Sequence, residues 1–431
     1  MSSKVTADPA GHGIVIIGGG IAFLHAVKVA TKRKCKVTAV CSNPFLEWPV
    51  SATLSLTRPG EHEKWLCQNP EDFTVNGVEY IFDAVTKISP AEKTIQFMKS
   101  PQITYGAVVV ATGNRLPLLM PVPGESLEAR KALVREAVAA VKAAKTIVIN
   151  GAGLVGLEMA GDAKVANQAA RVVLLSRSGE LLVGSHPGEW QRRVKAKAQE
   201  LGVEVVKGTV TSAGAEDFKL TPCTLALADS AQDTLACDVY IPSYMQGPNT
   251  AFLAGAAGVL NEKGQVVVNE CLQSVAWPEI FAAGVSTVPY KHPNSQGAVD
   301  HAAHAVSGAV ALLEGRPTSP FKNSGLERSM NVVVAHGAGG YLFWDLEAFP
   351  APVKCCCCLW CGGGFPCCPP PCCWCCGPGC PTLCGHCCGG SGHSEGAAAF
   401  HERVMLKKFA GMRGYAGMGS AGSAPAQQQM K

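Results

Sequence analysis

The sequence predicts an α/β protein assembled from two similar units, and three observations carry that reading. First, GIVIIGGGIAFLHAVKVA (residues 13–30) joins a short apolar strand to an amphipathic helix through glycines, and KCKVTAV (34–40) follows as a strand. Second, the same order returns about 130 residues later, in TIVINGAGLVGLEMAGDA (146–163) and RVVLLSR (171–177). Third, a Pro-rich connection, RLPLLMPVPGE (115–125), and a helix at about 128–144 separate the two, as a crossing between domains would.

The other elements follow in order. VEYIFDAVTKISPAEKTIQF (78–97) alternates like antiparallel strands turning at Ser89-Pro90, and ITYGAVVVATGN (103–114) reads as a strand pair ending in Ala111-Thr112-Gly113. GEWQRRVKAKAQELGVEVV (188–206) predicts a helix closed by Gly202 and then a third strand of the second unit, which CDVYIPSYMQGPNT (237–250) completes. GQVVVNECL (264–272) and EIFAAGV (279–285) are short strands, and QGAVDHAAHAVSGAVALL (296–313) is a small-residue helix suited to packing on a sheet. A strand pair at 330–345 and a helix at 400–412 are expected near the C-terminus.

Composition excludes several classes. Lys and Arg (37) nearly balance Asp and Glu (33) for a net +4, without a long run of either sign, so there is no acidic tail and no basic footprint for nucleic acid. No apolar run reaches the roughly 18 residues of a membrane helix, and MSSKVTADPAGHG reads as neither signal peptide nor myristoylation site, so a cytoplasmic protein is expected. Cysteine use is abnormal in one place: of 21 Cys, 15 lie between Cys355 and Cys388. Cys35, Cys41, Cys67, Cys223, Cys237 and Cys271 are scattered, as in a reducing compartment.

A glycine turn between strand and helix lets backbone approach a pyrophosphate, and the helix N-terminus then offers N–H donors and the positive end of its dipole. The second unit meets this dinucleotide pattern in full, with Gly151, Gly153 and Gly156, and Glu158 two residues on. Where an acid would hold a ribose 2′-hydroxyl stand Ser176 and Arg177, a hydroxyl and a guanidinium that tolerate a 2′-phosphate, so NADPH is accommodated. The first unit keeps Gly18, Gly19 and Gly20, but its third glycine position is Phe23 and the acid expected at the end of its second strand is Cys41. Phe23 must tilt the helix away from the strand or occupy space that the sheet usually fills.

The ordered landmarks GGG, TYGAVVVATG, GAGLVGLE, Asp238 with Gly247-Pro248-Asn249-Thr250, and PEIFAAGV resemble the pyridine nucleotide–disulfide oxidoreductase superfamily. Within it the sequence looks most like the apoptosis-inducing-factor-like branch, including ferroptosis-suppressor-type NAD(P)H:quinone oxidoreductases. The resemblance covers about residues 12–345 and resumes at 400–412. It implies two Rossmann-like domains, with FAD along the first, NAD(P)H on the second, and a quinone-like electron acceptor. The implied boundaries are an FAD domain at 1–127 and 246–320, an NAD(P) domain inserted at 128–245, and a C-terminal region at 321–431. It further implies that Gly18, Gly19 and Gly20 face the FAD pyrophosphate, Val85 lies near the adenine, and Thr112 and Gly113 form the crossing beside the flavin. Gly284 would approach the ribityl chain, and Gln296, Gly297 and Ala298 would present amides to the isoalloxazine. Gly151, Gly153, Gly156, Glu158, Ser176 and Arg177 would serve NAD(P)H. The family's Gly-Asp is Gly284-Val285 here, and with Cys41 that removes two hydrogen-bonding acids from one ligand. Each such bond is worth about 1.5–3 kcal/mol, so FAD affinity falls by orders of magnitude unless other contacts compensate.

The redox Cys pair of the disulfide-reductase branch is absent, and Cys35 and Cys41 read as small packed hydrophobes. No G-x-S-x-G, G-x-x-x-x-G-K or H-E-x-x-H occurs, since His62-Glu63 and His401-Glu402 lack the second His. His301 and His304 share a helix face and read as packing residues rather than an acid–base pair, so no catalytic residue and no metal ligand is assigned. The block 355–388 holds six Pro, six Gly and no Asp, Glu, Lys or Arg, which excludes a helix or sheet through it. Three readings remain open for it: a multiply acylated anchor for peripheral membrane association, an insertion without a role, or a metal cluster.

Overall fold

The computed structural model describes residues 13–322, except 48, 58, 66, 184–187 and 289–294. The Cys-rich block and the elements expected at 330–345 and 400–412 lie outside the described residues.

Alternating apolar residues build the first unit around an all-parallel sheet in the order Ile280–Ala282, Ala107–Ala111, Ile14–Gly18, Val37–Cys41, Glu79–Phe82. Because side chains alternate along a strand, each strand serves two cores. Ile14, Ile16, Ala107 and Val109 pack on one face with Phe23 and Ala26 of the Ile21–Lys32 helix and with Ala302, Ala305 and Val306 of the Ser295–Leu313 helix. Val15, Ile17, Val108 and Val110 pack on the other with Ile88, Ile95 and Tyr105. The small residues of the Ser295–Leu313 helix are needed for this approach: a Cβ on Gly308 would fall 2.6 Å from the Phe281 ring.

Two strand expectations are corrected. Residues 78–97 do not form one antiparallel set: Glu79–Phe82 joins the parallel sheet beside Val37–Cys41, and only Val85–Ser89 and Thr94–Phe97 pair antiparallel. Asp83 makes the break, its carboxylate accepting the backbone N–H groups of Ala84 (2.8 Å), Lys99 (2.8 Å) and Ser100 (2.6 Å) where the chain leaves the sheet. Likewise Ile103–Thr104 and Ala107–Ala111 are two strands of different sheets, the first pairing with Thr94–Phe97.

The second unit is a four-stranded parallel sheet, Val203–Lys207, Arg171–Ser176, Thr146–Asn150, Val239–Pro242. One face packs Ile147, Ile149, Val172 and Leu174 against residues of the Leu127–Ala143, Leu154–Ala166 and Gly188–Glu200 helices, such as Val141, Leu157 and Val194. An antiparallel meander of Thr209–Val210, Cys223–Ala228 and Thr234–Cys237, not anticipated from the sequence, covers the other face. Asp238 fixes the start of the central strand by accepting the N–H groups of Lys145 (2.8 Å) and Thr146 (2.9 Å), bonds that hold its carboxyl below the usual range.

The two units are joined by chain segments that pair with each other. Arg115 N–H donates to the Gly247 carbonyl, Gln246 N–H to Arg115, and Asn249 N–H to Gly113, each at 2.9 Å.

Candidate functional site

In parallel α/β sheets ligands bind at the carboxyl ends of the strands, and the predicted residues of the first unit gather there. Gly18 ends the Ile14–Gly18 strand opposite Ala111, where a Cβ would lie 2.4 Å from the Ala111 carbonyl oxygen, so no larger residue fits. Gly20 is the N-cap of the Ile21–Lys32 helix and has no side-chain cap, which leaves the first N–H groups for a ligand. A Cβ on Gly20 would meet nothing within 4 Å, and the same holds for Gly113, which follows the neighbouring strand at φ +66°. Thr112 stands between Ala111 and Gly113 with its Oγ1 buried and unpartnered. Gly284 (φ +72°) follows the Ile280–Ala282 strand, and a Cβ there would be 3.7 Å from that of Ala298 on the Ser295–Leu313 helix. Gly297 is buried beside it, and Gln296 belongs to the same first turn. Val85 opens the Val85–Ser89 strand, half-buried, past the sheet's edge strand Glu79–Phe82. The fold thus brings Gly18, Gly19, Gly20, Thr112, Gly113, Gly284 and Ala298 to adjacent strand ends, with Val85 two strands away from the turn.

The departures from the dinucleotide pattern are accommodated locally. Phe23 is fully buried among Ile14, Ala26 and Ala302, with its Cβ 2.9 Å from the place a Gly18 Cβ would take. In the second unit a Cβ on Gly156 would fall 1.7 Å from the Gly151 carbonyl oxygen, so the first helix leaves room for a side chain where the second leaves none. Cys41 ends its strand with Sγ 3.1 Å from the Cβ position of Gly19, and burial pushes its thiol up to about 11. A neutral thiol therefore borders the first turn where a carboxylate was expected. Backbone, open space and the Thr112 hydroxyl fit a flavin dinucleotide, while Cys41 and half-buried Val285 stand where the resemblance implies carboxylates for its sugar hydroxyls.

The second turn is tighter. Gly151 adopts φ +125°, and the Ser243 hydroxyl is shared between the carbonyls of Asn150 (3.1 Å) and Gly151 (2.9 Å). Gly153, exposed, is the N-cap of the Leu154–Ala166 helix and again has no side-chain cap. Of the seven exposed large hydrophobics among the described residues, Leu154, Val183 and Tyr244 lie on or next to segments that touch this turn, Val183 following Leu182, whose N–H donates to Ala152 (2.9 Å), and Tyr244 N lying 3.4 Å from the Cβ position of Gly151. Apolar side chains left in water around an uncapped helix start mark a ligand surface. Ser176 ends the adjacent strand, buried, its hydroxyl donating to the Glu180 carbonyl at 2.6 Å, while Arg177 is exposed. Glu158 is half-buried in the helix.

Two further clusters of polar side chains are packed into the fold. Glu47, Arg130 and His62 are all buried: Arg130 Nη2 donates to Glu47 Oε1 and to the Leu118 carbonyl, each at 2.8 Å, and His62 Nε2 is 3.0 Å from Glu47 Oε1. Burial raises the Glu47 carboxyl, but the His62 and Arg130 bonds outweigh it and hold the group below its usual range. Sequence reasoning missed this cluster, since its members are far apart in the chain. Farther along, the rings of His301 and His304 stand edge-on to Phe321 at 4.7 and 5.3 Å, a packing arrangement. Burial pushes His301 down to about 4. The unfolded chain then binds a proton from about 6.5 downward that the folded chain refuses until about 4, so stability is full above that window and lost as pH falls through it. Urea unfolding should record a loss of at most about 3 kcal/mol from this residue, and a pH-independent midpoint from 7 to 4 would contradict it.

A family model described as pyridine nucleotide-disulphide oxidoreductase matches residues 12–309. The chain is 26% identical over 327 residues to oxidoreductase ptaL of Pestalotiopsis fici, covering 72% of this chain and 86% of that one. It is 22% identical over 358 residues to ferroptosis suppressor protein 1 of Xenopus tropicalis, covering 79% and 91%. Among solved structures, an engineered water-forming NADPH oxidase bound to NADPH superimposes with a TM-score of 0.59 at 20% identity, over 74% of this chain and 73% of that one, a likeness of fold.

Proposed function

We propose that this chain, which belongs to the pyridine nucleotide-disulphide oxidoreductase family, is a FAD-dependent NAD(P)H oxidoreductase that passes electrons to a quinone-like acceptor. The observation that carries the proposal is the pair of uncapped glycine-led helix starts, Gly20 and Gly153, one at the strand ends of each parallel sheet. Gly18–Gly20 would hold the FAD pyrophosphate on backbone amides, Thr112, Gly113 and Gly284 would border the flavin, and Gly151, Gly153 and Gly156 would hold NAD(P)H. Flavin, when bound, supplies hydride acceptance and onward electron transfer. The chain's own part is to position the two cofactors and exclude water, and no side-chain acid or base is required of it. Ser176 and Arg177 favour acceptance of NADPH alongside NADH.

Purified protein should show a flavin absorption band and oxidise NAD(P)H with menadione or a ubiquinone analogue. A preparation that stays colourless after reconstitution with FAD would overturn the proposal. Cys41 and Val285 favour a second reading, a flavin-poor NAD(P)H-binding protein without turnover, which quinone-dependent NAD(P)H oxidation would exclude. Val285→Asp should raise flavin occupancy severalfold, measured as the ratio of flavin to protein absorbance. Unchanged occupancy would mean that this position does not limit binding. The proposal extends to a membrane face as the place where the acceptor is met, with the block 355–388 acylated. Hydroxylamine-sensitive acyl labelling that disappears on deleting 355–388 is the expected result.

A further inference from the structure

We infer that Cys223 and Cys237 form a modification site, a dithiol that a low-molecular-weight disulfide converts into an intrachain cystine. The two residues sit directly opposite each other in the antiparallel pair Cys223–Ala228 and Thr234–Cys237, and their sulfurs are 3.6 Å apart. Directly opposed residues in such a pair have Cα atoms about 4.5–5.5 Å apart, inside the range a disulfide spans.

The environments of the two sulfurs differ in a way that orders the reaction. Cys237 is buried with Val148, Val173, Leu175, Leu235 and Tyr240 beneath the second sheet, whereas Cys223 lies half-buried at the margin of that cluster. Cys223 is therefore the sulfur an external disulfide reaches. Its thiol gives its proton to water and its sulfur attacks one sulfur of RSSR, breaking that S–S bond and releasing RS⁻, which takes up a proton as RSH. Cys237 then attacks the Cys223 sulfur of the mixed disulfide, a second RS⁻ departs, and the Cys237 proton leaves with it. Two thiols are oxidised and one RSSR is reduced to two RSH. Burial and the neighbouring Cys223 push the Cys237 thiol well above its ordinary value, so it stays protonated while Cys223 makes the first attack. The cystine would clamp the meander next to Tyr240, whose hydroxyl donates to Ala215 and accepts from Asn150, the residue before Gly151.

The test uses the full chain, incubated with glutathione disulfide, alkylated, digested without reduction and mapped by mass spectrometry. Mapping is required because the 15 cysteines between Cys355 and Cys388 confound any count of thiols. The expected product is a Cys223 peptide joined to a Cys237 peptide, lighter than the sum of the two by two hydrogens and released by dithiothreitol. Recovery of both residues as alkylated thiols, or each carrying glutathione without the cross-link, would overturn the inference. In Cys223→Ser, Cys237 should be recovered as an alkylated thiol. Glutathionylation of Cys237 there, as fast as closure in the parent, would overturn the order of attack. Should that variant fail to fold by circular dichroism, the parent map decides alone. Closure should also raise the urea midpoint of the parent, and not that of Cys237→Ala.

Discussion

Gly156→Val is expected to weaken NAD(P)H binding by about 100-fold or more, equivalent to roughly 2.7 kcal/mol. A Cβ at this position would lie 1.7 Å from the Gly151 carbonyl oxygen and 2.5 Å from Ser243 Oγ. The serine hydroxyl can rotate, but the carbonyl is backbone in a turn already fixed at φ +125°. The Leu154–Ala166 helix must therefore retreat from its strand, carrying away the N–H groups of its uncapped first turn, which under the proposed function would meet the NAD(P)H pyrophosphate. Overpacking of this kind also costs about 1–3 kcal/mol of stability. Titration of NAD(P)H followed by fluorescence separates the two effects when read with a thermal scan. Affinity within threefold of the parent would show that close contact between helix and strand does not set the site. The first unit shares none of these atoms, so any flavin it binds should be retained, which makes the flavin band an internal control.

Arg130→Met should destabilise the chain by about 3–5 kcal/mol, because it leaves a buried carboxylate without its guanidinium. Glu47 and Arg130 are each about 1% exposed at the side chain, and Arg130 also satisfies the Leu118 carbonyl. The double change Arg130→Met with Glu47→Leu should recover most of the loss, since a buried ion pair replaced as a whole by apolar groups is close to neutral. Urea denaturation checks both chains. A single variant within 1 kcal/mol of the parent would show that His62 alone compensates Glu47. The depressed Glu47 carboxyl adds a pH signature: its contribution is present above the unfolded carboxyl range and disappears as pH falls through the folded value.

The parts of the fold legible in the sequence are those where one local rule decides. Glycines at 18, 20, 151, 153 and 156 announce turns because each stands where a strand must meet a helix, and the structure puts Gly20 and Gly153 at helix N-caps. The apolar runs at 14–17 and 147–149 read as buried strands for the same reason. What escaped the sequence depends on distance. The Glu79–Phe82 strand alternates like its antiparallel successors, and only the three N–H bonds gathered by Asp83, two from residues 99 and 100, divert the chain. His62 and Glu63 suggest half of a metal motif in sequence, yet in space His62 meets Glu47 and Glu63 pairs with Arg135. Phe23 breaks a helix–strand rule locally and is repaid by the alanine-rich face of a helix nearly 280 residues downstream. Cys223 and Cys237 looked scattered because register, not spacing, makes them neighbours.

The mutual pairing of Gly113–Arg115 with Gln246–Asn249 has an architectural consequence. The chain departs for the second unit and comes home at the same spot, so that unit behaves as a cassette plugged into a socket. A gene in which residues 116–245 are replaced by a short hairpin should still encode a continuous first sheet. The groups left without partners would include Glu47, whose guanidinium leaves with the cassette, Glu63, which loses Arg135, and buried Asn43, whose amide donates to Val122 and Glu125, so the remaining half would need replacements at these positions to stand alone. Under the proposed function, exchange of such cassettes offers a route by which the first unit acquires new electron donors without being rebuilt.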